Sequence, residues 1–318
     1  MAIRLTTLGI AVATVLAAPL ASASVPPLVD NEWLGDRLQD DSVAIIDVRS
    51  PIDNGDEIAF SDGHIPGAAD GGYADTAWRA ERDGVIGQLP PIESLEDLIG
   101  ALGVDNADTV VVVPAGTGPT DFGSAARVYW TFKALGHDAV TILNGGYRGW
   151  VAADQPIATG QPRVEPASFE ADLQSRMLVS TSDVENAEAR GLQLVDARPS
   201  AFFEGERKHP AARVAGTLAT AINLPHSAFG ADGDVWRFDS SRVQTAIDGV
   251  SLGSNRRPVS FCNTGHWATT TWFALSEVRG IDNVGLYDGS MVAWTADESR
   301  PVEVAKRGLA RILEFFGG

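Results

Sequence analysis

The sequence predicts an α/β protein made of two tandem copies of one domain, each a parallel β-sheet flanked by helices. Three observations predict it. Short apolar runs such as Val43-Ala-Ile-Ile and Val110-Val-Val-Val read as buried strands. Helical stretches alternate with them, most clearly at Ser124 to Leu135 and Ala268 to Val278. The chain also repeats itself once, in order. Val43-Ala-Ile-Ile-Asp-Val-Arg-Ser recurs as Leu192-Gln-Leu-Val-Asp-Ala-Arg-Pro, and Gly63-His-Ile-Pro-Gly-Ala as Gly216-Thr-Leu-Ala-Thr-Ala. Val110-Val-Val-Val-Pro is echoed by Val259-Ser-Phe-Cys, and Leu143-Asn-Gly-Gly-Tyr-Arg-Gly-Trp by Tyr287-Asp-Gly-Ser-Met-Val-Ala-Trp. A period near half the chain is far longer than a solenoid repeat, so it marks two domains of one fold.

Taken in order, residues 1–23 read as a secretory signal: Arg4, an uncharged apolar stretch from Leu8 to Leu20, then Ala21-Ser22-Ala23 as the cleavage site. The apolar run is short for a membrane span, so the expected product starts near Ser24 and is periplasmic or secreted, with no membrane attachment after cleavage. The first domain is placed at 24–158. A proline-rich linker follows at 159–167, within Gln155-Pro-Ile-Ala-Thr-Gly-Gln-Pro-Arg-Val-Glu-Pro, and the second domain at 168–302. The tail, 303–318, carries Val304, Leu309, Ile312, Leu313 and Phe316 at the spacing of an amphipathic helix docked on the body.

The 318 residues suffice for two domains, and 44% hydrophobic with 21% charged residues is ordinary for a globular protein. A net charge of -18 repels phosphate backbones and argues against nucleic acid as a partner. Scattered histidines and one cysteine make no zinc set, so neither metal nor cofactor is expected.

That cysteine, Cys262, ends the strand-like run Arg257-Pro-Val-Ser-Phe, ahead of a loop around Gly265 and a helix beginning near Ala268. A thiol there faces backbone N–H groups and a helix N-terminus, which favour the thiolate. In an exported chain a single cysteine makes no internal disulfide. It is therefore kept for chemistry, or it is a buried and inert small hydrophobe; the strand–loop–helix setting favours chemistry.

With the paired Asp-x-Arg strands, Gly63-His-Ile-Pro-Gly-Ala and Cys262-Asn-Thr-Gly-His-Trp-Ala in view, the chain resembles the tandem-domain rhodanese, or sulfurtransferase, family over nearly all of its mature length. The resemblance implies a first domain without the catalytic cysteine, and Pro114-Ala-Gly-Thr-Gly-Pro-Thr-Asp fits this. It implies that Cys262 takes sulfur from a small sulfur-containing donor as a persulfide and yields it to cyanide, a thiol or a protein thiol. Asn263, Thr264, Gly265, His266, Trp267 and Ala268 would supply the persulfide-binding loop. A non-enzymatic sulfur carrier or binding module serving a partner protein is the alternative. Cysteine phosphatases of related architecture need Cys-x5-Arg, and the arginine position here holds Ala268.

The donor is open between thiosulfate and 3-mercaptopyruvate. Thiosulfate-type relatives carry cations just after the cysteine, where this chain has Asn263 and Thr264. Mercaptopyruvate-type relatives carry a serine hydroxyl there, in a proposed relay with a first-domain His and Asp. Thr264 keeps a hydroxyl, and His64 and Asp53 are the matching pair, although each reads first as a local loop or turn residue. Arg198 matches one substrate-binding arginine. The next such position is occupied in Phe202-Phe-Glu-Gly by no arginine, leaving Arg207 and Lys208 as substitutes or as solvated turn residues. Asp47 and Asp196 read as strand-end acceptors of backbone N–H groups. His266 is open as an imidazolium beside the sulfur, and Trp267 as a pocket wall or a packing residue.

Overall fold

A computed structural model describes residues 25–73, 78–231, 233–253 and 255–304. The expected signal segment and most of the expected tail helix lie outside these residues. The first half runs β1 (Leu28–Val29), α1 (Asn31–Gly35), β2 (Val43–Asp47), β3 (Ala69–Asp70), β4 (Ala80–Arg82), β5 (Val85–Gln88), α2 (Ile92–Ala101), β6 (Thr109–Val113), α3 (Pro119–Ala134), β7 (Val140–Leu143) and α4 (Gly146–Ala152). The second runs α5 (Thr181–Glu185), β8 (Leu192–Asp196), α6 (Ser200–Phe203), β9 (Ile222–Asn223), β10 (Gly230–Ala231), β11 (Arg237–Phe238), α7 (Ser240–Asp248), β12 (Arg257–Phe261), α8 (Trp267–Phe273), β13 (Gly285–Leu286) and α9 (Ser290–Thr295).

Each half builds a parallel sheet. The first has the order β1-β7-β6-β2-β3 and the second β13-β12-β8-β9. The orders superimpose, with β6 matching β12 and β2 matching β8, and Leu178 bridging Leu286 where the first sheet has β1. The central strand β6 is buried from Val110 to Val113, as a parallel strand covered by helices on both faces must be. Its counterpart β12 ends at Phe261 and delivers Cys262 at the carboxyl end of the sheet, where open α/β sheets place their sites.

The repeat extends to side chains at the strand ends. Asp47 accepts from the Arg49 guanidinium, which also donates to the Gly63 carbonyl; Asp196 and Arg198 repeat this pair, with Gly216 as the carbonyl. These bonds turn the chain out of each sheet in the same way.

One apolar cluster is common to the two halves. Helix α3 starts at Pro119 in its first turn and is capped from outside by the Asp53 carboxylate, which accepts from Thr120 N at 2.9 Å and Asp121 N at 3.1 Å. It is buried from Asp121 through Phe132 because it lies between the halves and packs on α8. Phe122 lies 5.1 Å from Trp236 and 5.8 Å from Phe273, ring centre to ring centre, so the apolar cluster continues across the boundary.

Each half also sends a hairpin across to the other. In β10–β11, Phe238 N donates to Asn144 Oδ1 at 2.9 Å; beyond β4–β5, Leu89 N donates to Asp288 Oδ2 at 2.7 Å. Asn144 and Asp288 are equivalent positions of the repeat, so the exchange is reciprocal.

Candidate active site

Cys262 is 1% exposed and follows directly on β12. Its backbone N–H donates to Ser290 Oγ at 2.9 Å, and Ser290 Oγ donates to the Tyr287 carbonyl at 2.8 Å. The Cys262 carbonyl accepts from Met291 N at 3.1 Å. Ser290 holds this position with φ of 49°, a left-handed conformation uncommon for a residue with a Cβ. Gly265 turns the loop at φ of 74°, and an added Cβ there would meet the Asp288 carbonyl at 2.7 Å and Arg127 Nη1 at 2.8 Å.

The loop after Cys262 leaves its own donors free. Among the described residues, the backbone N–H groups of Asn263, Thr264, Gly265 and His266 have no acceptor. The equivalent loop after β6 is filled. There Ala115 N, Gly116 N and Thr117 N donate to the Asp121 carboxylate at 3.0, 2.7 and 3.4 Å. Burial pushes the Asp121 carboxyl up to about 6, against the lowering effect of those three N–H groups. In the first half the loop N–H groups thus close on a carboxylate of the chain itself, whereas in the second the N–H groups beside the thiol meet no acceptor among the described residues.

His266 is held by the opposite domain. Its Nε2 lies 2.8 Å from the Thr120 carbonyl and its Nδ1 lies 2.8 Å from the Tyr73 hydroxyl. A carbonyl only accepts, so Nε2 carries the proton and Nδ1 accepts from tyrosine. Burial, and next the charge of Arg79, push His266 down to about 3. Burial thus favours the neutral ring, which pins the loop to the opposite domain. Trp267 stacks on His226, 4.7 Å between ring centres at 6°, and meets Phe202 edge-on at 5.7 Å. Burial keeps His226 neutral as well, down to about 4.

A cavity of about 150 Å³ reaches Cys262 between the domains. Asn263, Thr264, His266, Trp267 and His209 line it from the second domain; Ile52, Arg79 and Thr120 line it from the first. The Thr264 hydroxyl makes no hydrogen bond among the described residues. Larger cavities, about 210 Å³ beside Arg49 and Tyr147 and about 410 Å³ beside Trp294 and Arg300, contain no thiol.

Several expected residues lie elsewhere. Arg198 is 2% exposed and spent on Asp196, the Gly216 carbonyl and Asn263 Oδ1 at 3.4 Å, so it braces the loop instead of lining the cavity. Arg207 lies over the Phe202 ring at 5.3 Å, and Lys208 donates to the Ala212 carbonyl at 2.7 Å. Neither borders the cavity, because the chain after α6 turns them outward. Ala268 is buried in α8, where its carbonyl accepts from Ser260 Oγ. The His64–Asp53 relay is not assembled. His64 Nδ1 is 3.0 Å from the Phe60 carbonyl and its ring stacks on Phe60, while its backbone pairs with Ala158 just as Thr217 pairs with Glu303. Asp53 caps α3.

Arg79, Tyr73, Thr120 and Arg127 were not singled out from the sequence. Arg127 is fully buried behind the loop, donates to the Gly265 carbonyl at 3.3 Å and lies 3.6 Å from Asp288 Oδ2. All four come from the half without a thiol: Thr120 and Arg127 on α3, which packs on α8, and Tyr73 and Arg79 from between β3 and β4.

The Rhodanese-like domain matches residues 30–153 and 181–297. The chain is 31% identical to 3-mercaptopyruvate sulfurtransferase of Homo sapiens, over 78% of this chain and 82% of that protein. It is 29% identical to thiosulfate sulfurtransferase of Bos taurus (84% and 91%) and 28% identical to sulfur carrier protein TtuD of Thermus thermophilus (84% and 93%). The crystal structure of the 3-mercaptopyruvate sulfotransferase SseA from Escherichia coli aligns with a TM-score of 0.69 at 26% identity, covering 84% of this chain and 99% of that one. With both halves matched and the duplicated sheets in place, the chain belongs to the rhodanese family of sulfurtransferases.

Proposed function

We propose that this sulfurtransferase moves sulfane sulfur from thiosulfate or 3-mercaptopyruvate to a thiophilic acceptor through a persulfide on Cys262. The loop N–H groups beside Cys262, which no acceptor among the described residues takes up while their first-domain counterparts bond Asp121, are the observation that supports it. The Cys262 thiolate attacks the outer sulfur of thiosulfate; the S–S bond breaks and its electron pair leaves with sulfite. With 3-mercaptopyruvate the thiolate attacks the thiol sulfur, the C–S bond breaks, and the electron pair goes to the enolate carbon, which takes up the proton that the donor's thiol gives up, to yield pyruvate. Either route leaves Cys262–S–S⁻. Cyanide or a thiolate then attacks the terminal sulfur and returns the electron pair to the Cys262 thiolate.

The N–H groups of Asn263 to His266 bear the charge on the bound sulfur, and Ser290 holds the Cys262 backbone. Buried Arg127, braced on Gly265, adds positive potential from behind. Ping-pong kinetics with thiosulfate and with 3-mercaptopyruvate, lost in Cys262→Ser, test the reading; sequential kinetics, or turnover that survives the substitution, contradict it.

The sulfur carrier from Thermus supports a second reading, in which the persulfide passes to a partner protein. Slow turnover with cyanide beside fast transfer to a protein thiol favours it. Export is part of the proposal, on the Arg4, Leu8–Leu20 and Ala21-Ser22-Ala23 pattern; the amino-terminal sequence of protein recovered outside the cytoplasm tests it.

A further inference from the structure

Among the described residues the cavity over Cys262 has a single arginine on its wall, and it comes from the domain without a thiol. Arg79 stands immediately before β4. Its guanidinium carbon lies 4.9 Å from the centre of the Tyr73 ring, and Tyr73 bonds His266 in the Cys262 loop. The ring thus seats the cation against the cavity wall at a fixed place relative to the thiol. Among the described residues, no carboxylate lies within ion-pair distance of Arg79 and none of its N–H groups meets an acceptor. The two arginines bonded to the Cys262 loop differ: Arg127 and Arg198 face carboxylates, on Asp288 and Asp196.

An arginine has five N–H donors in a planar fork that grips an oxyanion two at a time. Leaving that fork unpaired on a cavity wall is costly unless water or a ligand takes it. Other groups near the thiol offer no substitute. Arg127 is sealed behind Gly265 and Arg198 is spent on Asp196. His209, whose Nδ1 accepts from Ala211 N, is pushed below its usual range by burial and then by Lys208.

Resting on the sulfurtransfer reading, the geometry points to Arg79 as the anchor for the anionic head of the sulfur donor. Its guanidinium grips one carboxylate or sulfonate from the first-domain wall while the donor's sulfur faces Cys262. The class of donor follows. A cavity of about 150 Å³ with one arginine among its described lining residues takes a compact donor bearing a single oxyanion head, not a peptide or a nucleotide. The domain without a thiol therefore selects the donor, and Cys262 and its loop perform the transfer.

The test separates the two half-reactions. Sulfur loading of Cys262 is followed by rapid-quench intact mass spectrometry against donor concentration, for 3-mercaptopyruvate and for thiosulfate, in the wild type, Arg79→Gln and Arg79→Lys. Discharge of the loaded proteins to 2-mercaptoethanol, an uncharged thiol, is followed in parallel. Arg79→Gln is expected to raise the donor concentration for half-maximal loading roughly 10- to 100-fold, Arg79→Lys less, with discharge rates kept. A shift with only one donor identifies that donor's head group as the one anchored. Equal loading curves for wild type and Arg79→Gln overturn the inference, as does an equal slowing of loading and discharge, which marks a structural role. A wild type that never loads with either donor overturns the sulfurtransfer reading itself, and the inference with it.

Discussion

The Tyr73 hydroxyl lies 2.8 Å from His266 Nδ1, joining the first domain to the loop that follows Cys262 in the second. The other ring nitrogen of His266 meets the Thr120 carbonyl at the same distance. Gly123 leaves room for this ring: a Cβ there would stand 2.9 Å from His266 Nε2. The loop is thus braced by the domain that has no thiol.

Removing the tyrosine hydroxyl tests that brace. Tyr73→Phe keeps the ring under Arg79 but leaves His266 Nδ1 buried without a donor, at a cost of about 1–3 kcal/mol in unfolding free energy. Denaturant unfolding measures it, and an unchanged midpoint would show that the bond carries no net stability.

Gly265→Ala attacks the loop from inside. The position needs φ of 74°, and the new methyl would press on Asp288 and Arg127. A loss of at least ~1–3 kcal/mol in stability is expected, with Cys262 loading slowed ten-fold or more, roughly the rate equivalent of that strain. Stopped-flow loading together with thermal melting checks both.

Ser290→Ala separates backbone support from chemistry. It removes the acceptor for Cys262 N and leaves that N–H unpaired in a buried site, which costs about 1–3 kcal/mol. Ser290→Gly relieves φ of 49° and loses the same acceptor, so it is expected to destabilise less than alanine. The reverse order in urea titrations would contradict this account.

Acid stability carries a sign that can be worked out. His266 and His226 fall from 6.5 to about 3 and about 4 on folding, so below pH 6.5 the unfolded chain binds protons that the folded chain refuses. Stability from both is full above pH 6.5 and falls as pH drops towards 4, by ~1.4 kcal/mol per pH unit for each histidine. Asp121 opposes this. It rises from 3.8 to about 6, so its contribution is present at low pH and is lost as pH rises through 6. Asp121→Asn removes the opposing proton, and the decline between pH 6 and 4 steepens. Urea titrations across that interval report the slope; a slope unchanged by the substitution contradicts the assignment.

The duplicated sheets were legible because they are written locally: apolar runs ending in Asp-x-Arg at Asp47 and Asp196, and a glycine-centred loop after β12. Cys262 was legible for the same reason. Arg79, Tyr73, Thr120 and Arg127 were not, because their proximity to the thiol exists only once the two halves pack together. Arg207 and Lys208 illustrate the converse. They are close to a motif in sequence, but α6 and the following turn direct them away from the cavity. His64 keeps its place in the repeat and uses its ring on Phe60. Asp121 is the most informative residue that sequence alone passed over. Its carboxylate fills the first domain's cradle, and that role appears only when the two loops are compared in space.

At the centre stands Cys262 as the carrier of the transferred sulfur, held as a persulfide. Intact mass spectrometry of the protein after brief exposure to 3-mercaptopyruvate or thiosulfate tests it most directly. The account predicts a gain of one sulfur atom, removed by cyanide and absent in Cys262→Ser. An active protein that gains no sulfur, or a gain that persists in Cys262→Ser, would contradict it.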